Sequence, residues 1–257
     1  MIFILLTDVD KILYKWNSAI NNRDSSAMEE VYSECVIYYG NLATKEDIIK
    51  DKAKFFKSHP FYKQNVSNVK VKKISDLADG VYRIDFKKAF DNKEIPSYLI
   101  VFGDLIVLES DYITDKNLNF EMIDPEFESI SFEDKGSKIY RDLKISWKCK
   151  EEGDEDIQFT TCNVNLIFRG QNHSLTTYGG YLAISFYDLN GDGYEELLIS
   201  NPPLHGNWSS IDVIDGKTGK EIYSGSYHSM FSFPLFYRNN KGVFFISSEE
   251  CKAVKIY

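Results

Sequence analysis

The sequence predicts an α+β amino-terminal domain followed by an all-β carboxy-terminal domain. Apolar residues recur at helical spacing up to Pro60, and beyond it they alternate with a period of two, as in strands. From residue 119 onward, short runs of strand-forming residues are separated by polar turns. Helices followed by a meander of strands are typical of α+β domains. We therefore expect domains at residues 1–118 and 119–257.

Three helices are expected before Pro60. The first starts near residue 8, and its inner face carries Val9, Ile12, Leu13, Trp16, Ala19 and Ile20. The second follows Ser25 or Ser26, and its inner face carries Met28, Val31, Tyr32 and Cys35. The third follows a start signal formed by Thr44 and Asp47. Along one side it carries Ile48, Ile49, Lys52, Phe55 and Phe56.

Alternating strands are expected after these helices. In the run at 81–87 one face is apolar and the other is charged. The apolar side chains are Tyr82, Ile84 and Phe86, and the charged ones are Arg83, Asp85 and Lys87. We expect the apolar face to contact the helices, which leaves the charged triplet on the outer face. Further strands are expected at 97–102 and 105–108.

Three short segments in this half fit a known family. They are Trp16 on the first helix, Tyr38-Tyr39-Gly40 before the third, and Leu108-Glu109-Ser110-Asp111 after the last strand. With the order of elements, they make residues 8–118 resemble the nuclear transport factor 2-like family (SnoaL-like, with a cystatin-like cone). The resemblance implies three helices on a curved antiparallel sheet that forms an open cone. Some members are isomerases or hydrolases, and many only bind ligands or partners.

Tyr39, Glu109 and Asp111 are candidates to reach the mouth of such a cone. An enzyme would need a titratable side chain within hydrogen-bond reach of its substrate. We expect these three residues to form a solvated rim, and a ligand pocket is the alternative. The charged side chains of 81–87 face away, and His59, the only histidine in residues 1–118, lies at a helix end. The sequence therefore favours binding over catalysis.

A short loop in the second half has the pattern DxNxDGxxE. With Asp188 as position one, oxygen-bearing groups recur at every second position up to Glu196. Calcium takes about six to eight oxygen ligands. Gly191 and Gly193 permit the positive φ values that wrap a loop around an ion. An EF-hand would need a glutamate at position twelve, where this chain has Ile199.

Strand-forming runs flank this loop, so that residues 181–200 resemble the calcium loops of FG-GAP and VCBS-type β repeats. The resemblance implies calcium ligands from the side chains of Asp188, Asn190, Asp192 and Glu196 and from the carbonyl of Tyr194. The alternative is a hairpin turn formed by Asn-Gly and Asp-Gly alone. We expect the ion to be structural, since no histidine or nucleophile is adjacent.

Two other segments are candidates for contacts. Glu151–Asp156 is a dense acidic hairpin tip, expected to be a solvated loop, with a second cation site as the alternative. His205 and Trp208 follow the metal-loop strand, where an exposed Trp would suit contact with a protein or glycan. The alternative for Trp208 is a place in the core.

Charge is unevenly distributed along the chain. The net charge is −9, of which residues 119–257 contribute −8. An acidic half repels nucleic acid and anionic membranes, and it fits a cation or a basic protein partner. No apolar run is long enough to predict a membrane span.

The four cysteines, Cys35, Cys149, Cys162 and Cys251, have no zinc-site spacing, and we expect buried free thiols. The apolar start at 1–6 is too short for a complete signal peptide. Loops of the calcium type usually fill at millimolar calcium, which favours an exported, bacterial-type protein.

The leading hypothesis is a non-enzymatic two-domain binding protein with a structural calcium site, which recognises a protein or a small ligand. One alternative is an acidic, immunity-type antagonist of a basic partner. Another is a small-molecule isomerase or hydrolase that uses the cone pocket.

Overall fold

Strands dominate the structure. The computed structural model describes residues 8–73, 81–123, 125–153, 158–201, 208–228, 236–247 and 251–257. Strands account for 59% of these residues, and the four helices among them are short. The predicted fold class, three helices on a curved antiparallel sheet followed by an all-β domain, is therefore wrong. The chain is mostly β and contains several sheets.

The four described helices are α1 (Asp8–Asn22), α2 (Ser25–Val31), α3 (Lys45–Ser58) and α4 (Tyr112–Leu118). The predicted helical faces of α1 and α3 are largely buried, and Trp16 of α1 is only 1% exposed. Thr44 caps α3, since its hydroxyl oxygen accepts a hydrogen bond from Asp47 N (3.2 Å), as predicted. The sequence did not predict α4.

The second helix is shorter than predicted. It ends at Val31, and the chain continues directly into strand β1 (Tyr32–Tyr38). Tyr32 and Cys35, which were assigned to the helix, are therefore strand residues. Their helical spacing was misleading because the same segment contains the β-branched pair Val36 and Ile37, which favours a strand. This misassignment is one reason why helix was overestimated.

A six-stranded sheet accompanies the first three helices. It contains β1, β2 (Asn41–Thr44), β3 (Asn65–Lys73), β4 (Val81–Phe90), β5 (Lys93–Phe102) and β6 (Leu105–Asp111), in the order β2-β1-β6-β5-β4-β3. β1 and β6 are parallel, and the other neighbours are antiparallel. Ile84 and Phe86 of β4 are buried in the core that the helices share, and Arg83 pairs with Asp85 on the other face (3.0 Å). Both observations confirm the predicted facing of this strand.

Thirteen further strands follow in the described residues, in three sheets. One sheet contains β9 (Lys135–Tyr140), β10 (Leu143–Gly153), β11 (Gln158–Phe168) and β12 (Gln171–Tyr178), in the order β12-β11-β10-β9. A second contains β8 (Glu128–Ser131), β13 (Tyr181–Tyr187), β14 (Glu196–Asn201), β15 (Trp208–Ile214) and β16 (Glu221–His228), in the order β16-β15-β14-β13-β8. The third contains β7 (Glu121–Ile123), β17 (Phe236–Asn239), β18 (Gly242–Ser247) and β19 (Lys252–Lys255), in the order β19-β18-β17-β7.

The chain divides into two compact units. The first comprises Met1–Met122, Tyr237–Lys241 and Glu250–Ala253, and the second comprises Ile123–Phe236, Gly242–Glu249 and Val254–Tyr257. Each unit has its own apolar core.

The central strand of the five-stranded sheet of the second unit, β14, is buried on both faces. Leu197 and Ile199 of β14 pack into the core shared with β10 and β11, whereas Leu198 packs into the core shared with Phe236 and Phe245. All three β14 residues are at most 1% exposed. A strand covered on both sides needs no polar face, which explains why β14 is a continuous apolar run.

All four cysteines form disulfides. Cys149 bonds to Cys162, and Cys35 bonds to Cys251, so the prediction of free thiols is wrong. Strand β10 extends to Gly153 and β11 begins at Gln158. The antiparallel register of these two strands places Cys149 directly opposite Cys162.

This pairing makes a prediction about thiol content. Protein refolded in a glutathione redox buffer and then denatured without reductant should incorporate no alkylating reagent, since disulfide sulfurs do not react. The same protein reduced before alkylation should incorporate four labels, counted by intact mass spectrometry. Labels incorporated before reduction would contradict the assigned pairing.

Candidate ligand pocket

The first unit contains a cavity of about 250 Å³. It lies among α1, α3 and the strands β4, β5 and β6, which supply most of its walls. Its aromatic lining comprises Trp16, Tyr38, Phe55, Phe56, Tyr62 and Phe90. Its polar lining comprises Tyr39, Asp51, Lys52, Gln64, Lys88 and Glu109. A mostly apolar cavity with a few convergent polar groups is the usual form of a small-molecule site.

The Glu109 carboxylate is the centre of the polar groups. The side chain is 3% exposed, and each of its oxygens accepts two hydrogen bonds. Oε1 accepts from Lys52 Nζ (2.9 Å) and from the Tyr39 hydroxyl (3.1 Å). Oε2 accepts from Trp16 Nε1 (3.1 Å) and from the Tyr32 hydroxyl. Four donors, from α1, β1, α3 and the turn after β1, therefore hold one buried carboxylate.

These contacts keep Glu109 ionised. Burial alone would raise the pKa of the carboxyl, but the positive charges of Lys52 and Lys88 and the hydrogen bond from Tyr32 hold the pKa below its ordinary value. An ionised carboxylate whose two oxygens are both occupied is a poor proton acceptor. Its role in this geometry is to orient the donors around the cavity.

Lys52 is compensated on all sides. Besides the Glu109 oxygen, its ammonium lies 5.1 Å from the Tyr38 ring centroid, 5.7 Å from Tyr32 and 6.0 Å from Trp16. Aromatic faces attract a cation at such distances. The Lys52 charge is therefore balanced by a carboxylate and three rings.

Lys88 differs from Lys52 in its partners. Its side chain is 8% exposed, and its ammonium donates a hydrogen bond to the Tyr39 hydroxyl oxygen (3.0 Å). Among the described residues, no carboxylate lies within ion-pair distance of it. Burial lowers the pKa of the Lys88 amine, and the more distant carboxylates of Glu109 and Asp111 oppose this only in part.

The structure brings together two of the three predicted pocket residues. Tyr39 and Glu109 both line the cavity. Asp111 does not, because its Oδ1 caps α4 by accepting from Ile113 N (3.0 Å) and Thr114 N (2.8 Å). The expected solvated rim is wrong for Glu109 and Asp111, which are both buried. N–H and O–H donors of the protein contact their oxygens.

Lys52 and Lys88 were not identified as site residues from the sequence. Lys52 lies on the helical face that also buries Ile48, and Lys88 continues the inward register of Ile84 and Phe86. The sequence did contain a signal for these residues, because each lysine occupies a position where the pattern predicts an apolar side chain. Lysine is almost never fully buried without a purpose or a partner.

The predicted calcium loop connects β13 to β14. Asp188 Oδ1 accepts from Gly191 N (2.8 Å) and Asp192 N (3.1 Å), and its Oδ2 accepts from Gly193 N (3.0 Å). Asn190 Oδ1 accepts from Asp192 N (2.8 Å), and Asp192 Oδ1 accepts from Tyr194 N (2.9 Å). The oxygens at positions one, three and five therefore turn inward onto the backbone of their own loop.

Glu196, the last predicted ligand, is fully buried at the start of β14. Its Oε2 accepts from Leu189 N (2.7 Å) and its Oε1 from the Tyr257 hydroxyl (3.1 Å). Burial raises the pKa of this carboxyl. In the part of the chain that the structure describes, no group of three or more Asp, Glu, His or Cys side chains is arranged to hold a metal ion.

The remaining candidates are only partly described. His205 lies outside the described residues, as does the side chain of Trp208, whose backbone begins β15. In the acidic hairpin, Glu151 accepts from Thr160 (2.8 Å), and Glu152 accepts from Thr161 (2.8 Å). Residues 154–157 lie outside the description.

Comparison with known proteins gives no relative. No protein-family model matches the chain, and no curated protein matches it in sequence. None of the described helices is both long and apolar enough to cross a membrane.

The Glu109 network predicts a pH-dependent stability. At pH 7, Glu109→Gln should lower the free energy of unfolding by about 3–5 kcal/mol, because Lys52 is left buried without its counter-charge. The folded-state pKa of Glu109 is below its ordinary value. Its contribution is therefore complete above the unfolded pKa of about 4.3 and is lost as the pH falls through the folded pKa.

Urea denaturation at pH 7 and at successively lower pH measures both effects, and the difference between variant and wild type should shrink on acidification. Glu94→Gln is the matched control, because this glutamate pairs with Lys87 at the surface and should change stability by less than about 1 kcal/mol. If the two substitutions lower the free energy of unfolding equally at pH 7, the buried network does not contribute to stability as predicted.

Proposed function

We propose that the chain is a non-enzymatic two-domain binding protein. In this proposal the cavity of the first unit takes a small ligand, and a calcium ion stabilises the 188–196 loop. The observation that carries the proposal is the cavity itself, in which buried polar groups are positioned by one another before any ligand enters. Preorganised groups of this kind favour affinity, since little ordering remains to oppose binding.

Binding is favoured over catalysis by the state of Glu109 and Tyr39, the two predicted pocket residues that line the cavity. The Glu109 oxygens are fully occupied. Burial and the Glu109 charge raise the pKa of the Tyr39 phenol well above its ordinary value, so the phenol stays protonated. Catalysis by proton transfer needs a group whose pKa lies near the working pH and whose acceptor atom is open. Neither Glu109 nor Tyr39 meets this requirement.

The donor chemistry of the 188–196 loop supports calcium. Asp188, Asn190 and Asp192 direct oxygens into a single turn, and Gly191 and Gly193 have φ values of 78° and 87° that let the turn close. Hard oxygen ligands at alternate positions suit calcium. The ion would bind the side chains of Asp188, Asn190, Asp192 and Glu196 and the carbonyl of Tyr194. It would there offset the repulsion between carboxylates gathered in one loop.

The two disulfides support an exported protein. Disulfides persist in oxidising compartments and are rare in the cytosol. Calcium also reaches the millimolar concentrations that weak loop sites require outside the cytosol. The two disulfides and the proposed calcium ion are thus both compatible with a compartment outside the cytosol.

Thermal melting tests the calcium site. At a free calcium concentration one hundredfold above Kd, the ion should add about 2.7 kcal/mol to the free energy of unfolding. The midpoint of thermal unfolding should therefore be higher in calcium than in chelator. Asp188→Asn and Glu196→Gln should each abolish this difference. Glu195→Gln is the matched control, because Glu195 is exposed and pairs with Arg141, and it should keep the full response. A wild-type midpoint that is equal in calcium and in chelator would refute the site.

A fragment screen tests the cavity. Neutral, cationic and anionic single-ring fragments are titrated into the protein, with NMR shift changes as the readout. Bound fragments should shift the resonances of Tyr39, Lys52 and Lys88. Ile95→Trp should remove this binding, since Ile95 lines the cavity and the larger ring fills it.

Ile139→Trp is the matched control, because Ile139 is 71% exposed on β9 and lies outside the cavity. Fragment binding should be the same in this variant as in wild type. If no fragment of any charge binds, or if Ile95→Trp leaves binding unchanged, the proposed small-ligand function is wrong.

A further inference from the structure

The buried polar groups of the cavity carry one uncompensated positive charge. Of the side chains that line the cavity, Lys52 and Lys88 are buried bases, Glu109 is a buried acid, and Asp51 is an acid at the exposed edge. Glu109 forms its ion pair with Lys52 (2.9 Å), whereas the Lys88 ammonium donates to the neutral phenol of Tyr39 (3.0 Å). Buried charges are normally paired, because removing an ion from water is costly. Lys88 also lies 5.5 Å from the centroid of the Tyr39 ring, but no carboxylate of the described residues is within ion-pair distance of it.

The other polar groups of the cavity have partners within the protein. Gln64 donates to Asn17 (3.0 Å) and accepts from Tyr62 (2.8 Å). Tyr38 donates to Asp51 at the exposed edge (3.2 Å). A lysine ammonium has three donors, and Tyr39 accepts one from Lys88. Lys52 also donates only one of its three, but its acceptor is the Glu109 carboxylate. Lys88 is thus the cavity lysine with spare donors and no ion pair among the described residues.

We propose that the cavity binds a small organic monoanion whose carboxylate pairs with the Lys88 ammonium beside the Tyr39 hydroxyl. The inference rests on the proposed function, since it specifies the ligand of the same cavity. A single negative charge is specified because a single buried positive charge lacks a counter-charge. A second negative charge would find no cation left for it and would approach the carboxylates of Glu109 and Asp51.

The rest of the ligand is apolar and of single-ring size. Tyr62 lies 4.9 Å from Phe55 and 5.2 Å from Phe90 between ring centroids, so these rings form one aromatic wall. Such a wall favours an apolar or aromatic body. The cavity of about 250 Å³ corresponds to the liquid volume of about eight waters, which suits one ring with a short carboxylate arm.

Calorimetric titrations with benzoate, benzamide and benzylamine test the inference, because the three probes share a ring and differ in charge. Wild type should bind benzoate at least tenfold more tightly than benzamide, and benzylamine should not bind. A hydrogen bond to a charged group is stronger than its neutral counterpart, which sets this order.

Lys88→Met should weaken the binding of benzoate at least tenfold and leave the binding of benzamide unchanged. Its fold should persist, since the substitution removes a buried unpaired cation, and circular dichroism checks this. Lys88→Gln gives a second neutral variant if methionine disturbs folding. Lys87→Met is the matched control, because Lys87 lies on the opposite face of β4 and pairs with Glu94 (2.7 Å), and it should bind benzoate as wild type does.

The outcomes distinguish a failure of the monoanion assignment from a failure of the small-ligand function on which it rests. Benzamide or benzylamine binding as tightly as benzoate would overturn the monoanion assignment while leaving a small-ligand cavity in place. Unchanged benzoate affinity in a folded Lys88 variant would overturn it equally. If all fragment classes fail to bind, the small-ligand function falls together with this inference.

Discussion

The buried carboxylate of Glu109 joins parts of the first unit that are far apart in the chain. It lies on β6 and receives hydrogen bonds from α1 through Trp16, from β1 through Tyr32, and from α3 through Lys52. A fully satisfied buried network constrains the position of every member, because each unmade hydrogen bond would cost a desolvation penalty. The relative placement of helices and sheet around the cavity therefore depends on this one ion.

The same ion explains why the cavity has unequal cations. Glu109 accepts from Lys52 and Tyr39, and both of its oxygens are then filled. Lys88 enters from β4 and meets the oxygen of the Tyr39 phenol instead of a carboxylate. Two buried lysines close to one glutamate thus leave one ammonium with a neutral partner. The proposed preference for a monoanion follows from this excess of one buried lysine over buried carboxylates in the cavity.

The second unit is stabilised in a different way. Its central sheet has apolar side chains on both faces, and its longest hairpin is crosslinked between Cys149 and Cys162. The loop at 188–196 leaves this sheet between two of its strands and closes on its own side-chain oxygens. Burial on both faces of the sheet makes its strands resistant to local opening. The proposed calcium ion would add order at a loop whose carboxylates otherwise repel one another.

The sequence by itself determined the local features. Apolar spacing predicted α1 and α3, the Thr44 signal predicted the start of α3, and alternation predicted which face of β4 is buried. These features depend on neighbours within a few residues, which is why pattern alone suffices. The same reasoning overestimated helix, because Tyr32 and Cys35 have helical spacing but pair within a strand whose partner, β6, lies about seventy residues away in the chain.

The tertiary structure alone decided the pairings between distant residues. The disulfides, the four donors on Glu109 and the contact of Lys88 with Tyr39 all join segments whose meeting depends on sheet order and register. Tyr39 and Glu109 were predicted, together with Asp111, to reach the mouth of a cone, but the burial of Glu109 and the presence of Lys52 and Lys88 beside them were not predicted. A side chain's sequence neighbours set its local conformation, whereas its charge environment is set by whatever the fold brings within a few ångströms of it.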